Sequence, residues 1–99
     1  MRNVFYTKLS ETAAVAFPGK NLRFVRATSA TNVEVSYIGD DGGIGTLDLT
    51  VDSGKADEVI KAVCLLSAEG SGLILLGDEV AGTYFSADVS AVAAVAVSA

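Results

Sequence analysis

Asn32-Val33-Glu34-Val35-Ser36-Tyr37-Ile38-Gly39-Asp40-Asp41-Gly42-Gly43-Ile44-Gly45-Thr46-Leu47-Asp48-Leu49-Thr50-Val51 is the stretch that decides the fold class. On its first arm Val33, Val35 and Tyr37 alternate with Asn32, Glu34 and Ser36. On its second, Leu47, Leu49 and Val51 alternate with Thr46, Asp48 and Thr50. A period of two sends successive side chains to opposite faces of an extended strand, so each arm reads as a half-buried strand with its apolar set inward. Gly39 to Gly43 joins them as a hairpin loop, because Asp-Gly and Gly-Gly supply the positive φ that such a turn needs.

Upstream, Asn21 to Ala27 puts Leu22, Phe24 and Arg26 on one side and Arg23, Val25 and Ala27 on the other, until Thr28-Ser29-Ala30-Thr31 breaks the pattern. A three-stranded antiparallel meander follows from these segments. Asn3 to Leu9 also alternates, with Val4 and Tyr6 on one face and Phe5, Thr7 and Leu9 on the other. Thr12 to Phe17 is a short apolar stretch, strand or loop, that stops at the turn Pro18-Gly19-Lys20-Asn21.

Beyond Val51 the period changes. From Ser53 to Gly70 the residues Val59, Ile60, Val63, Cys64 and Leu66 or Ser67 recur at three and four, one face of a helix at about 54–69. Ser53 is placed to cap its start, Gly70 to close it, and Asp57 and Lys61 to pair across one turn. Leu73-Ile74-Leu75-Leu76 suits a buried strand. Thr83 to the end reads as one long strand or two shorter ones; Val89 to Val97 is almost wholly apolar, and its alanines leave a helical end open.

The expected fold is therefore mainly β (α+β): a small antiparallel sheet or partly closed barrel carrying one amphipathic helix. The 99 residues make a single domain, 1–99, and with 51% apolar and 19% charged residues the chain should fold. Its bulk comes from small side chains, with 15 Ala, 13 Val and 10 Gly, and no Trp.

Composition also narrows the chemistry. Without His there is no Ser-His-Asp or Cys-His catalysis and no His-ligated metal, and one Cys forms no internal disulfide or cluster. Asp40 and Asp41 lie in a run that lacks the alternate acids of a calcium loop. Gly42-Gly43-Ile44-Gly45 has no helix after it, and Ser53-Gly54-Lys55 lacks the earlier Gly of a phosphate-binding loop. Expectation is of no enzyme, cofactor or metal. Nor do the first residues carry the apolar core of a secretory signal, and Val89 to Val97 is too short to span a bilayer. A soluble, unsecreted cytoplasmic protein is expected, with no membrane partner.

Net charge is −5, which argues against nucleic acid as a general partner. The distribution is uneven: residues 1–26 carry +4 and residues 27–99 carry −9. One reading is a mixed surface made by folding. The sharper one is a two-ended subunit whose basic segment meets an acidic surface on a neighbour. Arg23, Phe24 and Arg26 form the one local basic and aromatic patch. The subunit-contact candidates are Val4, Tyr6, Val89, Ala91, Val92, Val95 and Val97.

The stretch Lys20 to Gly70 resembles small uncharacterised proteins of marine tailed phages, of the cyanophage type. The likeness lies in Asn21-Leu22-Arg23 opening a strand, Thr28-Ser29-Ala30-Thr31, Leu47-Asp48-Leu49-Thr50-Val51 running into Asp52-Ser53-Gly54-Lys55, and Glu58 to Val63 in the helix. Tyr84-Phe85-Ser86-Ala87-Asp88-Val89-Ser90-Ala91-Val92 fits the same style. It implies a virion-associated or other phage structural protein, in the host cytoplasm during assembly or in the virion, with other virion proteins as candidate partners. More loosely, it implies a small bent barrel of the Sm-like sort that closes into rings. The chain departs from Sm proteins by placing its helix after the third meander strand and by lacking an RNA-binding signature. The leading expectation is a homo-oligomeric structural subunit; the alternative is a ring-forming Sm-like nucleic-acid-binding module.

Overall fold

Alternation in the central hairpin does what it demands. In the computed structural model, which describes residues 3–39, 42–69 and 72–96, β4 (Asn32–Ile38) and β5 (Ile44–Val51) pair antiparallel. Val33, Val35, Tyr37, Leu47, Leu49 and Val51 are all buried. β3 (Leu22–Ser29) lies on the other side of β4, completing the expected meander. β8 (Val89–Ala96) adds antiparallel to β5, so the second sheet runs β3-β4-β5-β8.

The first sheet has the order β2-β1-β6-β7, from β1 (Asn3–Ser10), β2 (Ala13–Pro18), β6 (Gly72–Asp78) and β7 (Thr83–Tyr84). β1 pairs antiparallel with β2 and parallel with β6. The chain is mainly β with one helix, as expected, but two small sheets not closed into a barrel stand in place of the single small antiparallel sheet or partly closed barrel expected from the sequence. The reason is topological: β1 and β6 pair with each other, so the strands divide into two sets of four.

The sheets share one core. Phe5, Phe17 and Leu76 from the first meet the buried side chains of the second, and Val89 and Val92 join them. Phe17 on β2 stacks on Tyr37 of β4, with centroids 4.4 Å apart and planes 5° from parallel. Phe5 leans on Phe17 at 5.5 Å. Gly45 and Gly77 each permit a close approach within the core. A Cβ on Gly45 would lie 2.4 Å from the Tyr37 ring, and one on Gly77 would lie 2.7 Å from the Val92 side chain. Gly77 is on β6 and Val92 on β8, so that contact also joins the two sheets.

α1 (Ala56–Glu69) completes the core with Ala56, Val59 and Val63. It begins three residues after Ser53, because Asp52 to Lys55 forms a turn in which Lys55 N–H donates to the Asp52 carbonyl at 2.9 Å. Asp57 and Lys61 pair at 3.0 Å as expected. Cys64, expected on the apolar stripe, is exposed; the buried stripe runs through Val59 and Val63 instead. The Asn3 amide donates to the carbonyls of Leu66 and Ser67 at 3.0 and 2.9 Å, tying the start of β1 to the end of the helix. Gly70, Asp40, Asp41 and Val97 lie outside the described residues.

Thr7 and Ser36 are fully buried polar side chains. Ser36, expected outward and exposed, is covered by Arg23, which donates to its Oγ at 3.0 Å, and it donates in turn to the Gly45 carbonyl at 3.3 Å. Thr7 Oγ1 has no such partner among the described residues. A buried unpaired hydroxyl costs about 1–3 kcal/mol, and valine has nearly the same shape. Thr7→Val is therefore expected to raise stability by about 1 kcal/mol or more, measured by urea denaturation. A destabilised variant would show that the hydroxyl has a partner.

Candidate functional site

Directly opposite residues on paired strands share a face, and this places two apolar rows on the outer side of the first sheet. Pro18, Val4 and Leu73 form one row, and Ala16, Tyr6 and Leu75 the next. Ala14, Ala16 and Pro18 are exposed, Val4, Tyr6 and Leu75 half-buried, and Leu73 is 71% exposed. The following row, Ala14, Lys8 and Asp78, brings charge to the border, and Lys8 also pairs with Glu11 at 3.3 Å. An apolar area with a polar rim is the layout of a contact surface.

The subunit-contact candidates are thus divided. Val4 and Tyr6 lie on this outer face. Val89 and Val92 are 3% exposed and belong to the chain's own core, so they are not a free surface. Val95 packs against the same core and Ala91 is half-buried on β8. Leu73 and Leu75 were hidden from sequence reading by the continuous run Leu73 to Leu76. That run suggested burial on both faces, yet Leu73 is the most exposed large apolar residue described. Only its parallel register with β1 reveals the face, and nothing local encodes that register.

On the outer side of the second sheet the structure brings Arg23, Phe24 and Arg26 together, although strict alternation would separate Arg23 from the other two. Against a single step from Tyr37 to Ser36 on β4, β3 advances two residues, from Leu22 to Phe24. Arg23 is the extra residue of this bulge, and a bulge re-aims its side chain. Both guanidiniums lie over the Phe24 ring, at 5.3 and 5.0 Å from its centroid. Arg26 Nε also donates to Glu34 at 2.7 Å, and Asp48 lies opposite Glu34. Part of the uneven charge along the chain is therefore neutralised within the fold, on a face that mixes both signs.

A third cluster closes the seam between the sheets. Glu79, in the turn after β6, accepts from Tyr84 Oη at 2.6 Å and from the Val92 N–H of β8 at 2.7 Å. These two bonds hold the Glu79 carboxyl below its ordinary value, the Tyr84 bond first. The same contact pushes the Tyr84 phenol up. The Tyr37 phenol is raised by burial.

No cluster of three or more His, Cys, Asp or Glu side chains suited to a metal occurs among the described residues, and no described helix is long and apolar enough to cross a membrane. No protein-family model, curated protein or solved structure matches the chain.

Because its folded value is depressed, the Glu79 carboxylate stabilises the fold fully above its unfolded value of about 4.5. That contribution is lost as pH falls below 4.5 towards the lower folded value. Glu79→Gln should be less stable than the native chain at pH 7, with the gap narrowing as the pH is taken below 4. Thermal melts at both pH values check this; a gap that is the same at each would mean the charge contributes nothing.

Proposed function

We propose that this chain is a non-enzymatic structural subunit that associates with copies of itself through the outer face of its first sheet. The observation that carries the reading is the pair of apolar rows, Pro18-Val4-Leu73 and Ala16-Tyr6-Leu75, in which Pro18, Ala16 and Leu73 are exposed and the others half-buried. Burying such side chains is worth about 25 cal/mol per Å² removed from water, and a second copy presents the same face. The Lys8 and Asp78 border would remain at the rim, where charge tunes partner choice more than affinity.

A virion setting is part of the proposal and rests on the phage resemblance alone. The nucleic-acid alternative has the paired guanidiniums on Phe24 in its favour. Against it stand the Arg26–Glu34 bridge, the facing Asp48 and the net charge of −5.

Light scattering across a concentration series should give a mass above 10.1 kDa for the native chain. Leu73→Lys should weaken association about tenfold, the effect of removing one well-packed apolar contact, without disturbing the fold, since this side chain already meets solvent. A monomeric native chain, or a Leu73→Lys variant with unaltered mass, would refute the proposal.

A further inference from the structure

Each sheet has two edges, and among the described residues three of the four are obstructed. β7 is two residues long. β3 carries the Arg23 bulge and the Arg26 charge, and α1 packs beside it. On β8 the Val92 N–H is taken by Glu79, and strands of the first sheet lie alongside. The fourth edge, β2, which itself touches β8, reads Ala13-Ala14-Val15-Ala16-Phe17-Pro18 and has no charged side chain. No described backbone group bonds to its side away from β1. Native proteins normally blunt an edge with charge, bulge or cover, because unpaired N–H and C=O groups accept another strand. Pro18 is the only such device here, and it sits at the very end.

We propose that β2 is the joint between copies: two chains pair their β2 strands antiparallel about a two-fold axis normal to the sheet, making one continuous eight-stranded sheet. This rests on the self-association proposed above and adds an edge contact to it, because pairing at β2 leaves the outer-face rows, Leu73 on β6 included, free for the face contact. Unpaired main-chain groups name the occupant's class, a β-strand, and charge complementarity names a second copy. Keeping the two inner faces on one side requires like-facing residues to meet, so the register centres on Val15 or Ala16. Either register brings Glu11, just before β2, within one residue of Lys20 of the second copy, just after it. By symmetry this happens twice. Glu11 and Lys20 are both exposed, and Glu11 would be shared between Lys20 of the second copy and Lys8 of its own chain, which it already meets at 3.3 Å. The strand between them places no like charges opposite each other, and its alanines let the backbones approach. The apolar rows on the outer face then continue across the joint.

The test uses the full chain with Cys64→Ser, so that no native thiol interferes. Residues directly opposite on antiparallel strands lie within disulfide reach. Ala16→Cys alone should cross-link if the register centres on Ala16. A mixture of Ala14→Cys and Ala16→Cys should do so if it centres on Val15. Yields about tenfold above a Ser29→Cys control are expected under mild oxidation, given that spacing. Independently, Lys20→Glu should weaken association roughly threefold, and adding Glu11→Lys should restore it. A foreign strand on β2 would give neither the cross-link nor the rescue, and would overturn the inference. An oligomer without cross-link or rescue would overturn it too while leaving self-association standing; a monomeric native chain would sink both.

Discussion

Phe17 stacked on Tyr37 is the contact on which the rest of the structure depends. It is made across the two sheets, 4.4 Å between centroids, and it needs Gly45 beneath the tyrosine ring because a Cβ there would overlap it. Phe5 leans on the same pair, and Val92 on Gly77 closes the sheets at another point. Aromatic rings bury large areas, and a chain with no Trp and so many Ala and Val has few of them to place. Concentrating three in one column lets small sheets built from small residues share a core.

That arrangement fixes what is left outside. The second sheet turns Asn32, Glu34, Thr46, Asp48 and Thr50 outward, together with the arginine pair on Phe24. The first turns out Val4, Tyr6, Leu73 and Leu75, with the alanines and proline of β2. One exterior is polar and mixed in sign; the other is apolar with a charged border. The contrast within so small a chain is what directs a functional reading to the first sheet and to its unblocked edge.

Sequence periodicity revealed the meander and the helix because both are local: period two in Asn32–Val51, period three to four in Val59–Leu66. Pairing between distant segments was not legible. The parallel register of β1 on β6 joins residues some seventy positions apart, and nothing in either strand names the other. Without it the chain read as one small antiparallel sheet or a partly closed barrel, and Leu73 as a core residue. Ser36 and Cys64 were misplaced for a related reason. Whether a polar side chain is buried, or a thiol exposed, depends on what lies above it, and Arg23 reaches Ser36 only through the bulge in β3. Of the apolar end Val89 to Val97, read as a contact surface, the described part is used largely to complete the second sheet and its core.

A double-mutant cycle on Phe17 and Tyr37, each changed to leucine, tests this account most directly. Urea unfolding of the native chain, both single variants and the double variant yields the coupling energy between the two rings. Stacking across the sheets requires a favourable coupling of about 0.5–1.5 kcal/mol. Additive losses would contradict it, since the two sheets would then be held together by something other than this column.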